Sequence, residues 1–373
     1  MQSVKWGEFE IGSLFEINSY KKRFDANKVE LVENGFPYIV RTSLNNGLKG
    51  YILENEEYLN EGNTISFGQD TATMFYQEKP YFTGDKIKIL KPKFCQLNKI
   101  TAHFFISTMA KSFSSFSWGS SSFNVEIIKK QKITLPILNG AIDFAFMEDF
   151  IAELEVQRIA ELEAYLLTTG LNNYTLTEAE KAALQKFEKG NVEFEEFRIV
   201  DLFEKIKVNN LKYKTNELPS QAKDKFVLPA LTAGIINQGL NNFVPKENAT
   251  ILKNVISISA NGANTGVTFY QPKEFTVLQD AYAIKFKERE LIANVNLFLT
   301  AVISKTIYGN YEWTNKAGWE RIKTNKISLP TTDGKIDYSF MAFFISAVQK
   351  LVIADVVRYA DRKIVATRAV VEK

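Results

Sequence analysis

The chain has 373 residues, 45% of them hydrophobic and 24% charged, enough for two or three domains that each bury a core. A formal net charge of only +3 excludes a polybasic nucleic-acid coat, so any DNA affinity has to be local or shared with a partner. The single cysteine, Cys95, excludes an internal disulfide and a cysteine-cluster metal site. The single histidine, His103, sits in an apolar run, where a structural imidazole is expected rather than a general base. There is no secretory signal pattern and no unbroken apolar run of about 18 residues, so a cytoplasmic protein with no membrane span is expected.

Taken in order, the chain reads twice. Phe9-Glu10-Ile11-Gly12-Ser13-Leu14-Phe15 opens the first half, and Phe197-Arg198-Ile199-Val200-Asp201-Leu202-Phe203 opens the second, 188 residues on. Ser13 and Asp201 are N-cap types, and a short helix is expected after each. Basic stretches follow, around Lys21, Lys22 and Arg23 and from Lys205 to Lys214. Short strands are expected at residues 38–42 and 228–232, leading to the turns Asn45-Asn46-Gly47 and Asn237-Gln238-Gly239. Residues 65–77 and 256–271 each read as a strand, a polar loop and a strand ending Phe-Tyr-Gln. Asp85 and Asp280 precede further strand-like runs, followed by apolar helices at 101–113 and 291–303 and aromatic polar loops at 116–124 and 308–316.

Both halves close alike. Ile133-Thr134-Leu135-Pro136 and Ile327-Ser328-Leu329-Pro330, each followed by a turn and a long amphipathic segment, stand 194 residues apart. So long a period marks a duplicated domain, not a solenoid unit of about 20–50 residues. The organisation expected is a mixed α/β domain over 1–142, a long helix over 143–168 and a linker over 169–193. A second domain over 194–336 and a second long helix over 337–373 complete it. Within the linker, Thr177 and Glu180 form a capping-box pattern and Gly190 a stop, predicting a short helix at 178–188.

Along the first long helix, Phe144, Met147, Ile151 and Leu154 recur every three or four residues; the stripe then slips and resumes at Ile159, Leu162 and Leu166. A local irregularity is expected at the slip, beside Arg158. The second helix carries Met341, Ile345, Val348, Val352, Val356 and Tyr359. From Glu148 to Glu163 there are six acids and one base, and from Asp355 to Lys373 five bases and three acids. Opposite charge and matching stripes predict antiparallel pairing in a short coiled coil, through Met147, Ile151, Leu154 and Leu162 against Met341, Ile345, Val348 and Val352. Helices of about 25 residues span roughly 37 Å, comparable to one DNA turn of roughly 34–36 Å.

Catalytic signatures are missing: there is no phosphate loop of the Gly-Lys-Ser/Thr type, no dinucleotide fingerprint, no His-Glu-x-x-His and no Gly-x-Ser-x-Gly. Enzymatic activity and metal binding are therefore not expected of this chain alone. What remains are polar and basic loop residues of the kinds that contact base edges and phosphates. In the first copy the candidates are Lys21, Lys22, Arg23, Arg41, Thr42, Gln69, Thr71, Ser121 and Asn124. In the second they are Lys212, Lys214, Thr232, Asn261, Asn264, Lys316 and Lys323. Framework residues repeat while these diverge, as two different half-sites require. A tandem scaffold binding proteins or glycans through the same loops is compatible with the same pattern.

In its tandem copies the chain resembles the DNA-specificity subunits of type I restriction-modification systems and the related type IIB subunits. The resemblance is carried by the Phe-x-Ile-x-x-Leu-Phe openings, the Ser-x-Asn-Gly loop at Ser259 to Gly262 and the Ile-x-Leu-Pro closures before long helices. The first copy departs from it with Gly68-Gln69-Asp70 in place of the Asn-Gly loop. The resemblance implies two target-recognition domains held apart by two antiparallel helices in a pseudo-two-fold arrangement, each domain reading half of a split double-stranded DNA site. It further implies methyltransferase subunits docked on the helices, carrying S-adenosylmethionine and acting on adenine N6. A restriction/translocase subunit or a fused nuclease would complete the complex.

Overall fold

The signatures that open and close each half of the sequence meet as paired strands. The computed structural model describes residues 4–114, 123–312 and 314–371, with side chains as far as residue 365. It divides into two compact units, Met1–Leu162 with Thr367–Lys373, and Glu163–Ala366.

In the first unit β1 (Lys5–Glu10) runs into a single helical turn, α1 (Ile11–Leu14), and β2 (Phe15–Ser19). Then come β3 (Phe36–Ile39), β4 (Leu48–Ile52), β5 (Thr64–Gly68), β6 (Met74–Gln77), β7 (Phe82–Thr83) and β8 (Ile87–Pro92). Helices α2 (Lys99–Phe113) and α3 (Val125–Lys130), strands β9 (Lys132–Leu138) and β10 (Ala141–Ile142), and the long helix α4 (Phe144–Thr169) complete this half. β1 pairs antiparallel with β9, Phe9 opposite Ile133. An antiparallel sheet has the order β2-β8-β5-β6, while β3 lies between antiparallel β4 and parallel β7. Phe15, Ile65, Phe67, Leu90, Phe105, Met109, Leu135 and Met147 meet in one core. Burying each such side chain contributes about 1.5–3 kcal/mol.

The second half repeats this plan after α5 (Glu178–Glu188). It runs β11 (Glu193–Arg198), α6 (Ile199–Leu202), β12 (Phe203–Lys205), β13 (Leu228–Leu231), β14 (Asn242–Val244), β15 (Val255–Ser259), β16 (Thr268–Gln271) and β17 (Thr276–Val277). β18 (Ala281–Phe286), α7 (Ala293–Ile307), α8 (Trp319–Ile322), β19 (Lys326–Thr332), β20 (Lys335–Ile336) and α9 (Tyr338–Val371) follow. Its sheets are β12-β18-β15-β16, β14-β13-β17 and β11-β19-β20, the same orders as in the first half. Two tandem mixed α/β domains are thus what the chain forms.

Local chemistry moves several predicted boundaries. Ser13 and Asp201 lie inside α1 and α6 instead of capping a later helix. Ser13 donates its hydroxyl to the Glu10 carbonyl (2.7 Å), and Asp201 accepts two bonds of 2.9 Å from Arg198. The turns are short because buried Ile11 and Leu14, or Ile199 and Leu202, leave the chain aimed straight back into the sheet. The strands predicted at 38–42 and 228–232 stop at Ile39 and Leu231. α2 starts two residues earlier than its apolar run, because Asn98 and Thr101 form a capping box. His103 and Cys95 are exposed.

The linker is more than a tether. Thr177 and Glu180 cap α5 as its sequence predicts. Ala183, however, joins the core of the second domain, and the Phe187 ring lies 4.7 Å from that of Phe344. Glu180 is buried, accepting from the Lys350 ammonium (2.8 Å) and the Ser346 hydroxyl (2.6 Å) of α9.

The long helices differ from expectation. α4 is continuous, and Arg158 lies on its exposed side paired with Glu161 (2.7 Å), so the expected irregularity is absent. Met147 and Met341 are fully buried in the cores of their own domains, with Ile151 and Ile345 packed against the same cores. Leu162 and Val348 are half-buried and Leu154 is exposed. On α9 the buried stripe is Ala347, Ala354, Val357 and Ala360, whereas Val352 is 75% exposed and Val356 and Tyr359 also face out. Apolar residues occupy both sides of α9, and following the larger ones selects the outward side.

Over Tyr338–Val365 α9 is, by length and composition, apolar enough to cross a membrane. Lys350 and Asp355 interrupt the run, which hides it from a search for unbroken apolar sequence. Its buried Phe340 and Met341 belong to the core of the second domain, and Lys350 is spent on Glu180.

Burial pushes the Glu180 carboxyl up, but the bonds from Lys350, Ser346 and Thr177 outweigh it and hold the group at about 2. A carboxyl depressed on folding contributes stability above its unfolded value, near 4.5, that is lost as pH falls toward 2. Of order 3 kcal/mol should therefore disappear from the second unit over that window. Glu180→Gln should cost about 3–5 kcal/mol at pH 7 by stranding Lys350 and flatten the acid limb. Urea titrations of the full chain at pH 7 and pH 3 measure both; equal losses for wild type and variant at low pH would refute the assignment.

Candidate nucleic-acid interface

In the first domain three loops converge: the one leaving β3, the β5–β6 loop and the β7–β8 loop. The Gln69 N–H donates to the Lys86 carbonyl (2.8 Å) and the Phe123 N–H to the Gln69 carbonyl (3.2 Å), tying residues on either side of α2 to one another. At the centre Asp70 accepts hydrogen bonds from the Lys86 ammonium (2.8 Å) and the Arg41 guanidinium. The Lys86 bond, helped by Arg41, holds the Asp70 carboxyl below the usual carboxylate range against the opposing effect of desolvation. Gly68 is needed here, since a Cβ would lie 2.6 Å from both the Thr71 and Thr73 hydroxyls. Beside this cluster an open groove is lined by Arg23, Asp25, Arg41, Lys49 and Asp85, with Arg23 and Asp85 3.6 Å apart.

The second domain builds the same junction without cations. The Ala260 N–H donates to the Asp280 carbonyl (2.8 Å), as Gln69 does to Lys86. Where the first domain has Asp70 between two cations, the Asn261 Nδ2 donates to the Asp280 carboxylate (2.8 Å). The Asn261 Oδ1 is enclosed without a partner. The Thr265 hydroxyl donates to the Ala260 carbonyl (3.1 Å) and accepts from the Ala317 N–H (3.1 Å), drawing the Lys316 loop against the Asn261–Asn264 loop.

Two stretches of the chain, residues 3–164 and 191–354, match the family model for the type I restriction modification DNA specificity domain. The chain belongs to that family. It is similar to the "Type II restriction enzyme BgcI specificity subunit S.BcgI" of Heyndrickxia coagulans, 27% identical over 353 residues covering 94% of this chain and 96% of that one. Among solved structures it is similar to the type I restriction-modification system S subunit from M. genitalium, with a TM-score of 0.60 and 15% identity. That match covers 99% of this chain and 95% of the other. Two such domains in one chain make this a restriction-modification specificity subunit, whose family role is recognition of DNA sequence.

The predicted recognition residues separate into those brought together and those used elsewhere. Arg23, Arg41, Gln69 and Thr71 belong to the first-domain cluster, and Asn261, Asn264 and Lys316 to the second. Thr42 shapes its own turn by accepting from the Leu44 N–H (3.2 Å), and Asn124 caps α3 by accepting from the Ile127 N–H (2.9 Å). Lys21 donates to the Glu57 carbonyl (3.4 Å) and Lys22 lies 4.3 Å from the Tyr58 ring centre, holding both against residues 56–58. Lys323 pairs with Glu320 beside the α6 turn, where its carbonyl accepts from the Val200 N–H (2.8 Å), so it stands apart from the loop cluster. Lys212 and Lys214 are exposed on a segment anchored by buried Leu211, and Thr232 starts the loop after β13. Ser121 lies outside the described residues.

Lys86 and Lys49 were missed from the sequence. Lys86 follows Asp85 in a stretch readable only as the approach to a strand, and nothing local signals that its ammonium returns to Asp70.

An acid placed between two cations competes with phosphate for them. Asp70→Asn should therefore tighten binding of the full chain to random-sequence duplex at low salt and steepen the log–log salt dependence by roughly one counterion per freed cation. Fluorescence anisotropy across a salt series reads both quantities, and an unchanged slope would count against the cluster facing DNA.

Proposed function

We propose that this specificity subunit reads a split, asymmetric double-stranded DNA site, one half with each domain, and docks methyltransferase subunits on its long helices. The reading is carried by one observation: the same framework presents Arg41, Asp70 and Lys86 in the first domain and Asn261 with Asp280 in the second. A guanidinium is suited to paired guanine acceptors, whereas Asn261 is held to Asp280 with its Oδ1 enclosed, so the two domains offer different groups to the two halves of the site. The antiparallel pairing of α4 with α9 stays part of this proposal. The opposite charge of residues 148–163 and 355–373 supports it.

S-adenosylmethionine belongs to the partner methyltransferase, which modifies adenine N6 at positions chosen by this chain. Nuclease or translocase activity belongs to a further subunit or is fused to that partner, and the complex works in the cytoplasm. The outward row Leu351, Val352, Val356 and Tyr359 on α9 supports partner docking, because a row of exposed apolar residues is costly unless covered.

Mapping methylated adenines in cells expressing this chain with a methyltransferase partner tests the modular reading. Arg41→Ala should relax only one half of the methylated motif, at a cost of about 1–3 kcal/mol in binding. Asn261→Ala should relax only the other half. A change in both halves from either substitution would sink the modular model. For the docking face, Leu351→Lys combined with Val352→Lys should abolish co-purification of the methyltransferase while leaving duplex binding by the isolated chain intact. Retention of the partner would move the docking surface elsewhere.

A further inference from the structure

The loops that carry Asp70 and Asn261 diverge between the domains, but the loop after β3 and its counterpart after β13 do not. After β3 the chain runs Leu44-Asn45-Asn46-Gly47, and after β13 it runs Ile236-Asn237-Gln238-Gly239. Three consecutive residues in each take left-handed φ values: 46°, 53° and 80° in the first, 48°, 54° and 81° in the second. Such a run is unfavourable for side-chain-bearing residues, and it persists only where the surroundings enforce it.

Both loops are enforced in the same way. Asn45 Nδ2 donates to the Leu48 carbonyl (3.4 Å) and Asn237 Nδ2 to the Leu240 carbonyl (2.6 Å). Buried Gln77 donates to the Asn46 carbonyl (3.4 Å) and to the Ser66 hydroxyl (3.1 Å). Buried Gln271 does the same to the Gln238 carbonyl (3.1 Å) and the Ser257 hydroxyl (3.0 Å). Each loop presents a large aliphatic side chain at the same place, Leu44 at 74% and Ile236 at 75% exposure, with Ile235 beside Ile236 exposed as well.

Single exposed apolar residues are ordinary on protein surfaces. The same backbone, the same two amide anchors and the same kind of side chain at the same place, beside loops at Asp70 and Asn261 that have diverged, are not. We propose that Leu44 and Ile236 are apolar wedges that insert against the base stack of duplex DNA, one in each half-site. The proposal rests on the reading that this chain binds DNA directly.

Position favours DNA, since Leu44 follows Arg41 by three residues and lies within about 10 Å of it along the chain. Chemistry agrees, because Leu and Ile are among the side chains that unstack base steps and kink a duplex. Size argues against a protein partner. One aliphatic residue framed by Ser43 and Asn45 offers far less than the ~800 Å² per side of a stable protein interface. Rigidity completes the case, because a loop already pinned by Gln77 or Gln271 loses little freedom on pressing into a ligand. Wedges at both half-sites would make recognition depend on how easily particular base steps open, at positions with no hydrogen-bonded contact.

The test uses the full chain and duplexes that it selects from a random pool, with 2-aminopurine placed at each position in turn. Wild type should raise fluorescence at one step per half-site. Leu44→Ala should abolish the rise in one half-site, Ile236→Ala in the other, each weakening binding roughly 10- to 100-fold with the salt slope unchanged. Leu44→Met should keep the signal, and Leu138→Ala, an exposed leucine elsewhere, should change nothing. Thermal melts of the variants should match wild type, since both side chains are exposed. Failure of the wild-type chain to select any duplex would overturn direct DNA binding and the wedge with it. Selection with no fluorescence rise, or with alanine variants that behave as wild type, would overturn the wedge alone. Loss of methyltransferase co-purification at unchanged DNA affinity would also overturn it, making the loop a protein contact.

Discussion

The antiparallel pairing of β1 with β9, and of β11 with β19, is the constraint from which each domain's architecture follows. It brings the first and last strands of a domain side by side, Phe9 opposite Ile133 and Phe197 opposite Ile327. The helix that follows is then started at a fixed point. Pro136 and Pro330 have no N–H to give the sheet, but their carbonyls accept from Asp143 (2.9 Å) and Asp337 (2.8 Å). The same aspartates accept from the Phe146 and Phe340 N–H groups, capping α4 and α9. A short closing hairpin thus converts the end of a sheet into the start of a long helix. The loops bearing Arg41, Asp70 and Asn261 take no part in that pairing, so their chemistry changes without disturbing it.

The charged pairs of this protein fall into two energetic classes. Glu180 is buried and Lys350 partly so; the two are mutually dependent and fix α5 onto α9. Arg41, Asp70 and Lys86 are partly exposed, and pairs of that kind add little to folding. Their presence is better explained by what they do to an approaching anion. On the proposed DNA-facing surface, Asp70 would lower the indiscriminate attraction of two cations for phosphate, leaving more of the affinity to contacts that depend on base identity. The net charge of +3 fits that economy.

Much of the plan was legible because the chain states it twice. The openings at Phe9 and Phe197, the closures at Ile133 and Ile327 and the capping box at Thr177 are local patterns with local causes, and the structure contains each. What was hidden depended on distance or on redundancy. Lys86 reaches Asp70 across two strands, a relation no window of sequence contains. α9 has apolar residues on two faces, so its larger side chains mark the exposed side while alanines mark the buried one. Asn124 and Thr42 have the chemistry of base readers, yet the nearest orphan N–H groups belong to their own loops. Divergence between copies identified the loops, but not the side chains within them that are already committed.

The adjacency of β1 and β9 also bears on inheritance. Everything that distinguishes the first domain from the second lies between two seams, residues 5–10 against 132–137 and residues 193–198 against 326–331. A gene segment bounded by those seams enters and leaves the protein at neighbouring strands of one sheet, and what it has to reproduce is the register of six residue pairs and the packing of its core against Met147 or Met341. Recombination between related genes at these repeated stretches would exchange a whole address module while the helical frame stayed intact. The target of the assembly would then change in one genetic step, without any need for the partner proteins to adapt.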